Sequence, residues 1–272
     1  MGISYLEERM KPTIALVTGA ASGMGRRWTE RMVESGTKVA ALDRDAGQLA
    51  SAWAGNANVR TFPVDVTDLD AIRTIVDTVE REVGPIDRVV HAAGIMPGSP
   101  LLADDPERIK RVMRVNYEGT VNVSLATLPR LVDRKRGELV CFGSVAGEAL
   151  TPRLGAYCAS KAAVNAFMEI LAHENAKSGV TIHLVCPPMV DTPLLSQSMG
   201  TGGPFSLKKA MDEKMLAKPD DVIDGIEKAL SKKQSVSHPL FASKALSTLR
   251  RLAPGLLWSI IDRAEDEMAK QT

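Results

Sequence analysis

Apolar residues fall in short, near-continuous runs at 14–17, 38–42, 59–62, 86–90, 138–142 and 180–185. Between the runs lie longer stretches in which apolar positions recur with helical period, near 25–35, 69–83, 106–131 and 156–176. A run that is apolar at successive positions has no polar face, so it predicts a strand covered on both sides. Such strands alternating with helices predict an α/β chain with a parallel sheet and crossover helices on both faces. Asp105-Pro106 reads as an N-cap followed by proline at the first helical position. No repeat or linker interrupts the pattern before residue 190, so residues 1–241 are expected to form one domain. Within it the stretch 192–218 is rich in Gly, Ser and Met, and Gly200, Gly202 and Gly203 precede Pro204. A loop of that composition after the last long strand predicts a lid, because ligands of open parallel sheets sit beyond the carboxyl ends of the strands.

Beyond residue 242 the period is helical again. Leu246, Leu249 and Leu252, then Leu256, Leu257, Ile260, Ile261 and Ala264, make an apolar stripe opposite Arg250, Arg251, Asp262, Arg263 and Glu265. Residues 242–272 are therefore expected to be an amphipathic helical extension, packed on the parent domain or on a twin subunit. A cover for an apolar pocket, or a helix lying on a membrane surface, would carry the same stripe.

Composition narrows the function classes. With 272 residues, 44% hydrophobic and 25% charged, the chain is an ordinary globular protein. A net charge of +1 gives no electrostatic case for nucleic acid. Residues 1–12 lack the apolar core of a signal peptide, and no apolar run approaches the ~20 residues of a membrane span. Cys141, Cys158 and Cys186 are scattered and form no disulfide framework. That pattern fits a reducing compartment, so a cytoplasmic location is expected. His91, His173, His183 and His238 show no metal-ligand spacing, and no metal is expected.

Two constellations carry chemistry. The segment Thr18-Gly-Ala-Ala-Ser-Gly-Met-Gly25 follows the first strand and opens a helix. Gly19 permits a tight turn, while Gly23 and Gly25 let backbone approach a pyrophosphate at the helix N-terminus. Asp43 closes the second strand about 20 residues further on, where a carboxylate can bind both ribose hydroxyls. Downstream, Tyr157 and Lys161 stand four apart on a predicted helix and so share one face. A phenol titrates near pH ~10, and a neighbouring ammonium favours its ionised form. Ser144 can hold a carbonyl oxygen beside that phenol. Together they read as a site that moves a proton while something else moves a hydride.

These residues resemble the short-chain dehydrogenase/reductase family over roughly residues 12–193. The resemblance implies a Rossmann-type doubly wound parallel sheet. It also implies a cofactor loop through Gly19, Ser22, Gly23, Met24 and Gly25, and an adenine contact at Asp65 and Val66. The family's N-A-A-G signature corresponds to His91-Ala92-Ala93-Gly94, with histidine in place of an asparagine that braces the sheet. Asn116 matches the helix asparagine that holds a water on the proton path, and Ser144, Tyr157 and Lys161 complete the tetrad. Pro188 replaces the glycine after the sixth strand, while the Val190 backbone and the Thr192 hydroxyl remain for the carboxamide. The resemblance thus implies a reaction between a secondary alcohol and a ketone, with Tyr157 as acid/base and Lys161 lowering its pKa and holding the nicotinamide ribose. It also implies a homo-tetramer or homo-dimer, for which Val121, Leu125, Phe167, Ile170 and Leu171 could supply a surface. Asp43 favours NAD and repels a 2′-phosphate, whereas Arg44 beside it is the NADP reading. Met189, Leu194, Leu195, Met199 and Phe205 in the lid point to an apolar, lipid- or steroid-like substrate. Two alternatives use the same residues: a dinucleotide-sensing regulator without turnover, and a membrane-associated ketolipid reductase using NADPH.

Overall fold

The computed structural model describes residues 12–200, 202–213 and 215–269. Strands β1 (Ile14–Thr18), β2 (Lys38–Asp43), β3 (Val59–Pro63), β4 (Arg88–His91), β5 (Glu138–Phe142), β6 (Thr181–Val185) and β7 (Val236–Ser237) form one sheet in the order β3-β2-β1-β4-β5-β6-β7. Every pairing is parallel. The apolar runs are explained by where alternate residues go. Ile14 and Leu16 of β1 enter one core and Ala15 and Val17 the other, so neither face can be polar.

Helices α1 (Gly23–Glu34), α2 (Ala46–Ala52) and α9 (Pro219–Ser231) cover one face through Trp28, Leu49 and Ile226. Helices α3 (Leu69–Glu82), α5 (Gly119–Asp133) and α6 (Gly155–Glu174) cover the other through Val76, Leu131 and Met168. The strand order reverses between β1 and β4, which opens a crevice beyond their carboxyl ends.

The expected helix 106–131 is in fact two, α4 (Pro106–Met113) and α5, joined by a π-helical segment Arg114–Glu118. Its cause is a close approach: a Cβ on Gly119 would lie 2.6 Å from Val66 Cγ2, and Asn122 Nδ2 donates to the Val66 carbonyl at 3.0 Å. The widened turn carries Asn116 into the interior, where it is fully buried. The lid stretch is not a bare loop. It folds into α7 (Pro193–Met199), which starts on its proline, and α8 (Phe205–Asp212).

The extension forms α10 (Phe241–Leu252) and α11 (Pro254–Ala269). Part of its stripe turns inward: Leu257 is buried against Val145 and Ala149, with Leu246, Leu249 and Ile261 packed around them, while Leu252, Leu256 and Ile260 stay exposed. Both carboxylate oxygens of Glu265 in α11 accept from the first backbone N–H groups of α8, Phe205 at 3.1 Å and Ser206 at 2.9 Å. An anionic side chain at that position satisfies orphan donors and complements the helix dipole. The tail thereby holds the lid as well as the domain.

Candidate active site

The glycine segment is shaped by what it must avoid. Gly19 adopts φ +70°, and a Cβ there would lie 2.8 Å from the Ala93 nitrogen. Gly23 has φ +54° and faces Thr192. A Cβ on Gly25 would lie only 2.3 Å from the Gly19 carbonyl oxygen, so the first turn of α1 rests directly on the loop. Ser22, the N-cap of α1, makes no side-chain capping bond. The first N–H groups of this helix therefore keep their capacity for an anionic ligand. Ser22, Gly23 and Met24 line the adjoining cavity.

At the end of β2, the Asp43 carboxylate accepts from the backbone N–H groups of Ala21 and Asp45, both at 3.1 Å. These bonds fix it at the mouth of the glycine loop. Arg44 beside it is exposed. Asp65 is committed locally, with Oδ1 accepting from both the Thr67 N–H at 3.0 Å and the Thr67 hydroxyl at 2.8 Å. Val66 is buried behind it.

His91 keeps the brace between strands. Its Nδ1 lies 2.8 Å from Thr18 Oγ1, which also accepts from the Ala93 N–H at 3.3 Å. Burial first, and the Lys161 charge second, push the imidazole down to about 3, so it is neutral. Asn116 binds the next residues of the same segment. Its Oδ1 accepts from Ile95 N at 2.8 Å, and Nδ2 donates to the Ile95 carbonyl at 3.0 Å and to Ser160 Oγ at 2.9 Å.

Ser144, Tyr157 and Lys161 converge beyond β5. The Ser144 Oγ accepts from Ala146 N at 3.0 Å, and its hydroxyl stands near enough to Tyr157 to hold the phenol's pKa down. Asn165, one turn beyond Lys161 on α6, brackets the Ser144 backbone. Its Nδ2 donates to the Ser144 carbonyl at 3.0 Å, and its Oδ1 accepts from the Ser144 N–H at 3.4 Å. Sequence reasoning missed this asparagine. Lys161 Nζ donates to the Phe142 carbonyl at 2.6 Å and lies 5.8 Å from the Tyr157 ring centroid. Desolvation pulls the buried ammonium down to about 8. It also pushes the phenol up to about 12, against the opposing effect of the Ser144 hydroxyl. In this arrangement burial governs the phenol, and Lys161 is engaged by the Phe142 carbonyl instead.

One cavity of about 660 Å³ runs from the glycine loop past the tetrad to the tail. Gly19, Ser22, Gly23, Met24, Ala92, Gly94, Ser144, Tyr157, Lys161, Val190 and Thr192 line it. Gly25, Asp43, Arg44, Asp65, Val66, Ala93 and Asn116 stand outside the lining. Thr192 Oγ1 is turned onto the Val190 carbonyl at 3.3 Å. The far end is walled by Met96 and Leu154, by Leu194, Leu195 and Leu207 of the lid, and by Leu246, Leu257, Ile260 and Ile261 of the tail. Lys161 is the one charged side chain among the described residues of that lining.

A family model, short chain dehydrogenase, matches residues 13–201. The chain is 33% identical over 264 residues to the dehydrogenase/reductase SDR family protein 7-like of Anopheles gambiae, covering 93% of this chain and 83% of that protein. It is 30% identical over 226 residues to 2,3-dihydro-2,3-dihydroxybenzoate dehydrogenase of Bacillus subtilis, covering 78% and 87%. The crystal structure of a short chain dehydrogenase/reductase from Burkholderia phymatum in complex with NAD superposes with a TM-score of 0.77 at 25% identity, covering 90% of this chain and 94% of that one. The chain belongs to the short-chain dehydrogenase/reductase family, and it is accordingly an NAD(P)-dependent oxidoreductase. No described helix is long and apolar enough to cross a membrane.

The glycine cradle fits such a dinucleotide. A Cβ at Gly19 would meet the Ala92–Ala93 backbone and one at Gly25 the Gly19 carbonyl, so the loop keeps its tight form only without side chains, and the uncapped α1 N-terminus faces the cavity through Ser22, Gly23 and Met24.

Proposed function

We propose that the protein interconverts a secondary alcohol and a ketone on an apolar substrate, with NAD(H) preferred to NADP(H). The observation that carries this reading is the convergence of Ser144, Tyr157 and Lys161 on one cavity whose far end is lined by aliphatic side chains and no second charge. A bound nicotinamide would supply the hydride chemistry. The protein's part is to hold the substrate oxygen and move its proton. Ser144 and Tyr157 offer two hydroxyls to one oxygen. A phenol held near 12 keeps its proton at neutral pH, which suits donation to the oxygen of a ketone undergoing reduction. For the reverse direction Lys161 must leave the Phe142 carbonyl and turn toward the phenol and the ribose. The Asn116 backbone is the proposed end of the proton path, since its side chain is spent on Ile95 and Ser160.

The buried Lys161 gives a pH dependence with a definite sign. Its ammonium, pulled down to about 8, loses its charge as pH rises through that value. Tyr157, at about 12, stays protonated over the same range. Ketone reduction should therefore decline above about pH 8 and hold a plateau below it. The Lys161→Arg variant, which cannot be neutralised in this range, should lose that limb. A wild-type profile flat to pH 10 would contradict the assignment.

Chain length tests the apolar substrate. Each methylene buried in the aliphatic end contributes about 0.8 kcal/mol, so kcat/KM should rise about fourfold per carbon along a series of methyl ketones until the cavity is full. A flat profile, or a best substrate that is small and charged, would mean that these walls serve folding alone.

Asp43 supports the NAD preference, because its carboxylate is pinned at the end of β2 by two backbone donors. A charge about 4 Å from a phosphate is worth about 4 kcal/mol at a surface permittivity before screening, so Asp43→Ala should narrow the NADH-over-NADPH ratio at least about tenfold. If calorimetry on the wild type finds NADPH bound more tightly, Arg44 sets the choice instead.

The tail reading follows from its packing. The stripe expected to face a parent domain, a pocket or a membrane is seated on the domain and over the cavity through Leu246, Leu257 and Ile261. That placement supports a pocket cover over a membrane helix. Of the surface named for a twin subunit, Leu125 and Ile170 are the exposed members, while Phe167 and Leu171 pack on the main core.

A further inference from the structure

Three side chains of different chemistry meet beyond the ends of β5, β6 and β7, behind the wall of the reaction cavity and outside its lining. Cys186 directly follows β6, His238 directly follows β7, and Glu148 ends the short turn beyond β5. Their ligating atoms all lie within 4.8 Å of one another. His238 Nε2 is 3.1 and 3.3 Å from the two Glu148 oxygens, and the Cys186 Sγ lies within 4.8 Å of both groups. We propose that Glu148, Cys186 and His238 form a binding site for one zinc-type divalent cation, with its open coordination position facing a second cavity.

That cavity, about 580 Å³, is lined by Glu148 and His238 and shares no lining residue with the reaction cavity. Cys186 is fully buried, whereas Glu148 and His238 are about one-fifth exposed, so the group is closed on the protein side and open on the other. One thiolate, one imidazole nitrogen and one carboxylate are a donor set that zinc accepts, and a fourth position left to water is usual where three protein ligands are present. Ligand bonds of about 2.0–2.3 Å place tetrahedral neighbours about 3.5 Å apart, so closing on an ion requires a shift of about 1 Å. The half-buried Glu148 and His238 are able to make it.

A divalent cation takes the place of the Cys186 thiol proton: the S–H bond breaks, the sulfur–metal bond forms, and one H⁺ is released to solvent. The two anionic ligands then balance the ion's charge. The buried hydroxyl residue Ser247 of α10 stands beside Glu148 and is the candidate outer partner. The strands that present Cys186 and His238 are joined by the Cys186 N–H donating to the Ser237 carbonyl at 2.8 Å. Because Glu148 lies four residues beyond Ser144, and Cys186 opens the segment that lines the reaction cavity through Val190, an ion here would tie the two edges of the active site together.

The test uses the full chain without a histidine tag, stripped with a chelator and titrated with Co²⁺ and then Zn²⁺. The expected result is one Co²⁺ per chain, a thiolate-to-cobalt charge-transfer band in the near ultraviolet, displacement by Zn²⁺ and release of about one proton. Cys186→Ser should abolish the band. His238→Gln should weaken Zn²⁺ binding by more than the roughly 10- to 100-fold that loss of an outer partner costs. Absence of the band in folded wild-type protein, or its persistence in Cys186→Ser, would overturn the proposal. Should Cys186→Ser fail to fold, His238→Gln decides alone, and unchanged Zn²⁺ affinity in it is the contrary result. Since the readouts are binding and spectrum, they are separate from any failure of the proposed oxidoreductase reading.

Discussion

Replacing Tyr157 by phenylalanine is expected to lower turnover by about 100-fold or more, the ordinary worth of a positioned acid–base group, while NADH affinity changes little. The substitution removes one hydroxyl from a residue that is 6% exposed and otherwise packed among Met96, Leu154 and Leu195, so the apolar contacts survive. What is lost is the only phenol in the cavity lining among the described residues. Steady-state kinetics with a methyl ketone, together with calorimetric NADH binding, separates the two effects. Near-normal turnover in a folded Tyr157→Phe protein would assign the proton to another group. A parallel loss of NADH affinity would mean that the phenol organises the cofactor end rather than the substrate oxygen.

The second large effect is expected at Gly25. An alanine Cβ would be placed 2.3 Å from the Gly19 carbonyl oxygen and 3.0 Å from that of Thr18, and both obstacles are backbone. No rotamer relieves such a contact, so the loop or the start of α1 must move. Overpacking of this kind costs about 1–3 kcal/mol, and displacement of the loop should weaken NADH binding by roughly ten- to a hundredfold. Calorimetry on Gly25→Ala measures it. Gly255→Ala is the matched control, because nothing lies within 4 Å of a Cβ there. Unchanged NADH affinity in Gly25→Ala would show that the glycine segment is only a turn.

Much of this architecture is legible in the residues, and the physical reasons differ from element to element. The inner strands of the first 190 residues announce themselves because both faces of the sheet are buried there, which forces apolar residues at successive positions such as Ile14 to Val17, whereas β3 at the sheet edge is partly exposed and carries Arg60 and Thr61. β7 is two residues long, and α2 buries Leu49 alone, so neither leaves a period to read. The break between α4 and α5 is invisible in the pattern because its cause is the contact of Gly119 with Val66, distant in sequence. The lid composition predicts loop, but tertiary packing of Leu195 and Leu207 against Tyr157 and Met96 makes helices of it.

The candidate site divides in the same way. Tyr157 and Lys161 are readable together because helical spacing alone places them on one face. The Phe142 carbonyl that holds Lys161, and the burial that governs both groups, belong to the folded chain and have no local signature. Asn165 resembles any polar residue within a helix until its two bonds to the Ser144 backbone are seen. His91 stands where an asparagine was expected, and the bond to Thr18 shows how the brace is kept with a different side chain. The tail stripe is readable as a face, but only the fold reveals that this face closes the cavity and that Glu265 holds α8.

A single-turnover reaction of the wild-type protein, preloaded with NADH, against a long methyl ketone tests the proposed chemistry most directly. Ketone-dependent loss of the nicotinamide absorbance, with one equivalent of secondary alcohol formed, is the expected result. NADH that binds but is not oxidised by any ketone in the series would contradict it.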